Sequence, residues 1–235
     1  MADWAALRAR LAEVRDRIAS AAGRAGRDAA SVRLVAVSKT FPAECIRAAT
    51  EEGQIDFGEN KVQEALQKMD QTAALSLKWH LVGHLQSNKV RKAGARFDLI
   101  HSVDDAGLVM RLDEAAQAAG RRVDVLVQVD LAGERTKHGV RPDELMPIFA
   151  AGRNCRAARI TGLMLLPPAM DEAEAARPYF AALRALRQEL LSRGVDGSML
   201  SELSMGMSHD FEIAIEEGAT LVRVGTAIFG ERTHV

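Results

Sequence analysis

The sequence predicts an α/β fold, a single (β/α)8 TIM-type barrel with an extra N-terminal helix, and three observations predict it. Eight short apolar, strand-like runs alternate with amphipathic segments along almost the whole chain. The runs 123–129, apolar but for Asp124 and Gln128, and 163–166, continuously apolar, read as parallel strands covered by helices on their outer face. Eight such units within 235 residues suit one closed barrel better than an open doubly wound sheet, and no G-x-G-x-x-G follows the first run. One domain spanning 1–235 is expected.

The chain opens with Trp4, Leu7, Leu11, Val14 and Ile18 at alternating three- and four-residue spacings. This is an amphipathic helix, capped by Asp3, that ends near Gly23 to Gly26 and should pack on the barrel as an addition (1–26). The β-branched run 32–37 is the first strand. Pro42 then opens a helix toward Glu52, 55–57 is a short strand, and Val62, Ala65, Leu66 and Met69 mark the next helix. Residues 78–82 read as strand, 87–93 as helix, 98–102 as strand and 104–119 as helix, with Leu108, Leu112 and Ala115 on one face. Strand 123–129 follows, then helix 142–151, strand 158–165 and a long helix 172–193. Strand 200–203, helix 209–217 and strand 221–224 complete the eight.

Composition narrows the function. Lys plus Arg number 31 against 32 Asp plus Glu, a formal charge of −1, and no basic patch breaks the balance. Neither nucleic acid nor a membrane surface is an expected partner. No apolar run approaches the roughly 18 residues of a spanning helix, and the N-terminus lacks the apolar core of a secretion signal. Asp3, Glu13 and Asp16 interrupt any likeness to an organellar transit peptide, so a cytoplasmic address is expected. Cys45 and Cys155 are far apart and form no C-x-x-C or Cys/His frame, which points away from a disulfide scaffold or structural zinc.

In such barrels the strand C-termini carry function. Lys39 follows the first apolar run directly, where partial desolvation would free its amine as a nucleophile toward an aldehyde. Position alone equally allows a lysine snorkelling from the rim or paired with a carboxylate. Ser204-Met205-Gly206-Met207-Ser208 follows the seventh run and Gly225-Thr226 the eighth. Small residues and hydroxyls there could cradle a phosphate, although each segment alone reads as an ordinary turn with a Ser cap. Arg223 lies inside the apolar run Leu221-Val222-Arg223-Val224 and therefore needs an acceptor, either a structural carboxylate or a ligand atom. Asn60 and His80 also end strands. His80 and His84 are four apart, but on a strand and loop with no evident third ligand, so no metal site is expected.

Taken in order, these segments resemble the pyridoxal 5'-phosphate homeostasis proteins, the YggS/PROSC family. The resemblance rests on Ala36-Val37-Ser38-Lys39-Thr40, Phe57-Gly58-Glu59-Asn60, Trp79-His80-Leu81-Val82-Gly83-His84-Leu85-Gln86-Ser87-Asn88-Lys89 and Gly162-Leu163-Met164. Ser204-Met205-Gly206-Met207-Ser208-His209-Asp210-Phe211 and Val222-Arg223-Val224-Gly225-Thr226-Ala227-Ile228-Phe229-Gly230 complete it. Lys61 departs from a common aromatic, and Asp130-Leu131-Ala132 from an Asn-Ile-Ser-like stretch.

The resemblance implies a barrel like the N-terminal domain of alanine racemase, that is, pyridoxal-phosphate fold type III without the C-terminal β domain. It implies pyridoxal 5'-phosphate as cofactor, held as a Schiff base on Lys39, with Arg223 facing the pyridine nitrogen. Ser204, Met205, Gly206, Gly225 and Thr226 would surround the phosphate, and Asn60 and His80 would line the pocket near the ring. The function so implied is buffering or delivery of the cofactor, to apo-enzymes as acceptors, with no catalytic residue and no efficient turnover. An isolated barrel is expected to be a monomer.

Two alternatives compete: a fold-type-III amino-acid racemase or decarboxylase, and a cofactor-free barrel enzyme acting on a phosphorylated metabolite through Lys39. Racemases of this fold place a second acid/base, a Tyr, on a further C-terminal domain. Here the chain runs only about ten residues past the eighth strand, and its sole Tyr, Tyr179, lies in the long helix. Lys137 is the other lysine against which attachment at Lys39 has to be tested.

Overall fold

The computed structural model describes residues 4–133 and 138–231. Asp3, expected as a helix cap, and Lys137 lie outside the described residues. Eight parallel strands close into a barrel in sequential order: β1 (Arg33–Val37), β2 (Asp56–Glu59), β3 (Lys78–Leu81), β4 (Leu99–Val103), β5 (Val123–Val129), β6 (Ala158–Leu165), β7 (Glu202–Met207) and β8 (Leu221–Val224). β8 pairs back onto β1, with Arg33 opposite Leu221 and Ala36 opposite Val224. The helices between them are α2 (Ala43–Glu51), α3 (Val62–Gln71), α4 (Val90–Arg96), α5 (Ala106–Ala118), α6 (Leu145–Gly152), α7 (Arg177–Ser192) and α8 (Phe211–Glu216). A short α9 (Thr226–Phe229) follows β8, and the N-terminal α1 is Trp4–Arg24.

The side-chain period of two sorts every strand between two apolar regions. Leu34, Ala36, Leu203, Met205, Val222 and Val224 face outward into the large core beneath the helices. Val35, Val37, Val82, Leu99, Leu126, Met164 and Leu221 fill the barrel. The same alternation turns a few polar side chains inward, and these build the site. α1 buries the predicted stripe of Leu7, Leu11, Val14 and Ile18, and Arg17 ties it to Glu212 of α8 at 2.9 Å. None of the helices described is long and apolar enough to cross a membrane.

Strand seven departs most from the sequence reading. Residues 197–200 form a 3-10 turn, capped by the Asp196 carboxylate accepting from Ser198 N, and the strand begins only at Glu202. Leu200 is buried beneath that turn rather than within the sheet. Ser204, Met205 and Gly206 therefore belong to the strand itself, and helix α8 starts at Phe211 rather than at His209.

Candidate functional site

A cavity of about 660 Å³ opens at the C-terminal end of the barrel. Lys39, Asn60, Arg223, Gly225 and Thr226 line it together. Strand parity brings them there. On β1, Val35 and Val37 point inward, so Lys39 is the next inward position just past the strand. Beyond β2, Asn60 continues the Asp56, Gly58 series, and on β8 Arg223 follows Leu221. No Asp or Glu is among the described lining residues, whereas Lys39, Arg223, His84, His138 and His209 are. The cavity is thus built for an anion.

Four of the residues singled out in the sequence lie elsewhere. Ser204 is fully buried inside the barrel, Met205 faces outward under the helices, and His80 is buried on the barrel axis. Gly206 adopts φ +92°, and a Cβ there would meet Ala214 Cβ at 2.6 Å and Phe211 Cα at 2.9 Å. It lets α8 close onto β7. The reason is the late start of β7, which leaves residues 208–210 as the strand-to-helix loop. Ser208 lines the cavity there. Its Oγ accepts from Gly225 N at 3.2 Å and Ala227 N at 3.3 Å, bracing the two loops that meet at the cavity wall.

The residues the sequence reading missed form a buried chain of hydrogen bonds under the cavity. Arg223 donates from Nη1 to Ser204 Oγ at 2.5 Å and from Nη2 to the Leu165 carbonyl at 2.9 Å. Ser204 Oγ lies 2.8 Å from His101 Nδ1, His101 Nε2 lies 3.0 Å from His80 Nδ1, and His80 Nε2 lies 2.9 Å from Asp56 Oδ1. Donor roles follow from the ends. A guanidinium only donates, so Ser204 Oγ accepts from Arg223. His101 is neutral, because burial, together with His80, Arg223 and Arg33, holds its pKa well below the usual imidazole range. At the other end the Asp56 carboxylate only accepts, so His80 donates to it from Nε2. Burial brings the Arg223 guanidinium down to about 10, with Asp210 opposing, so it remains a cation at neutral pH.

A second buried network flanks Lys39. Ser38 Oγ donates to Glu59 Oε1 at 2.7 Å, and Lys68 Nζ reaches the Ser38 carbonyl and Glu59 Oε1 at 2.7 Å each and Glu64 Oε1 at 2.8 Å. Glu64 Oε1 also accepts from Thr40 N at 2.5 Å. Thr40 holds φ 70°, a strained value for a β-branched residue. Both neighbours of Lys39 are thus clamped by carboxylates and an ammonium. Burial raises Glu59 above the usual carboxylate range against the pull of Lys68 and Ser38.

An amine on a rigid strand end, a guanidinium beneath the cavity and a wall of small residues and hydroxyls suit a small anionic carbonyl compound. The alanine racemase N-terminal domain family matches residues 6–233. A pyridoxal phosphate homeostasis protein of Aquifex aeolicus is 44% identical over 225 residues, covering 96% of this chain and 98% of its own. The chain belongs to the pyridoxal phosphate homeostasis protein family. The family's member in Pseudomonas aeruginosa is 45% identical over 95% of each chain. PipY of Synechococcus elongatus, solved with pyridoxal phosphate bound, superposes with a TM-score of 0.84 at 41% identity, covering 95% of this chain and all of PipY.

Proposed function

We propose that this protein binds pyridoxal 5'-phosphate in the barrel-mouth cavity, holds it covalently through Lys39, and serves to buffer or deliver it without efficient turnover. The observation that carries the reading is a cavity with cationic and hydroxyl groups, no lining carboxylate among the described residues, and a single strand-end lysine between two clamped neighbours. When bound, the cofactor supplies an electrophilic aldehyde carbon and an electron-accepting ring. Lys39 supplies the amine for attachment. Ser208, Gly225 and Thr226 suit the phosphate, with Ser208 in place of Ser204, Met205 and Gly206. Arg223, locked by its two hydrogen bonds, suits the pyridine nitrogen and donates to it rather than accepting. Asn60 lies near the ring, and His80 acts only from below through His101 and Ser204.

The chain is read as one domain, 1–235, acting in the cytoplasm as a monomer, with apo-enzymes as acceptors. Support for the cofactor and its homeostasis comes from the family's name and from the cofactor-bound relative. In the test, purified protein is titrated with pyridoxal 5'-phosphate, reduced with borohydride and mapped by mass spectrometry. A visible band, lost on reduction, and a label on Lys39 that vanishes in Lys39→Ala are expected. A label on Lys137 or on any other lysine of the wild-type protein would overturn the assignment.

A further inference from the structure

A second polar cluster adjoins the cavity on the side away from Ser208 and Gly225, where the loops after β3, β4 and β5 meet. His84, Asp104 and His138 each present a ligand atom there, and the three atoms lie within 4.8 Å of one another. The sequence spacing paired His84 with His80 and found no third ligand. The barrel separates that pair and supplies two others from later loops. The His84 and His138 rings stack at 3.5 Å between centroids with 9° between planes, and His84 Nδ1 lies 4.0 Å from Asp104 Oδ2.

Each arm of the cluster is anchored to a strand. Ser102 Oγ donates to the Gly83 carbonyl at 2.7 Å, tying the loop that carries His84 to the end of β4, two residues before Asp104. A Cβ on Gly83 would sit 2.3 Å from the Asn60 carbonyl oxygen, so only glycine permits this path for the loop. Gln128 Nε2 donates to the His138 carbonyl at 2.5 Å, and Val140 N to the Gln128 carbonyl at 2.9 Å, which pins His138 beside β5.

We propose that His84, Asp104 and His138 bind a divalent cation of the borderline transition-metal class, with Zn(II) as the type. Two imidazoles and one carboxylate are the donor set such ions select over Mg(II) or Ca(II), which prefer oxygen alone. The stack keeps the two rings adjacent, and ligation of one ion by both requires each ring to turn about its Cβ–Cγ bond out of the stack, because imidazole lone pairs lie in the ring plane. Since His84 and His138 also line the cavity, a three-ligand ion would have its open coordination position near the cavity, where a water or an anionic oxygen could occupy it.

The site stands apart from the cofactor reading, and its test needs no bound cofactor. Full-length protein freed of metal with a chelator is titrated with Co(II), followed by visible absorption, and with Zn(II) against a competing chromophoric chelator. One equivalent should bind, with cobalt bands characteristic of nitrogen and oxygen ligation. His84→Ala, His138→Ala and Asp104→Asn should each weaken binding by at least ~10- to 100-fold, the loss that even outer-shell changes produce at metal sites. Cys155→Ser, which removes the more exposed of the two thiols, should leave it unchanged. Absence of saturable one-to-one binding would overturn the proposal. So would affinity that survives all three substitutions, or affinity lost with Cys155.

Discussion

His101 lies at the centre of the barrel's polar chain, with Ser204 on one ring nitrogen and His80 on the other. It folds neutral, so its pH dependence has a definite sign. An unfolded histidine titrates near ~6.5, whereas here burial holds the folded value well below that. Between the two values the unfolded chain binds the extra proton. Its stabilising contribution is therefore complete above about pH 6.5 and falls as pH drops toward the folded pKa, by up to ~1.4 kcal/mol per pH unit. Urea unfolding at a series of pH values should show this slope, and His101→Gln should reduce it by about one proton. An unchanged slope in the variant would show that His101 is not the group responsible. The sequence carried the cue for this residue. Arg223 was noticed because a guanidinium inside an apolar strand needs a partner, and the same reasoning applied to Leu99-Ile100-His101-Ser102-Val103 would have found His101. What no single strand could reveal is that the partner of Arg223 is a hydroxyl and a carbonyl, since both come from other strands.

At the scale of elements, helix α3 holds the turn after β1. Lys68 and Glu64, one helical turn apart, reach from it to Ser38 and Thr40 on either side of Lys39. Glu59 has no exposed surface, so replacing Lys68 strands a buried carboxylate. Lys68→Met should destabilise the fold by about 3–5 kcal/mol, the range for breaking a buried ion pair from one side. It should also slow the uptake of borohydride-trappable cofactor at Lys39, because Thr40 loses a held acceptor. Glu64→Gln keeps Glu59 paired and should affect uptake more than stability, a split that denaturant midpoints and labelling rates resolve. Equal effects of the two variants on both quantities would argue that the network only supports the fold. Elements themselves were legible where the pattern was unambiguous: β5, β6 and β8 have the bounds read from the sequence. β7 was not, because Leu200 to Leu203 looks like a strand while Glu202-Leu203-Ser204-Met205-Gly206-Met207 alternates around a serine and a glycine. Read that way, Ser204, Met205 and Gly206 fall in the loop, whereas they belong to the strand.

For the whole molecule, the closed order of eight strands explains why scattered motifs converge: the ends of β1, β2, β3, β5, β6, β7 and β8 all contribute to one cavity. The barrel and the position of Lys39 were readable from apolar runs and what ends them. The depth of a residue along its strand was not, so His80 and Ser204 lie buried beneath the cavity, while Met205 faces the helices. The same architecture bears on turnover. Two-base proton exchange at an amino acid needs a donor on each face of the substrate, and Lys39 can serve one. Tyr179 packs against the helix-side core and is not a lining residue. His84 and His138 do line the cavity, but they stack on each other beside Asp104. Arg223, a cation that only donates, would leave a pyridine nitrogen unprotonated and weaken the ring as an electron sink. Cofactor-loaded protein incubated with each common L-amino acid in deuterated water should therefore exchange the α-proton far more slowly than the ordinary enzymatic range of roughly 1 to 1000 per second. NMR of the amino acid measures this directly, with Lys39→Ala as control. Exchange within that range, abolished by Lys39→Ala, would establish an enzymatic activity, and its loss in His84→Ala or His138→Ala would identify the second base.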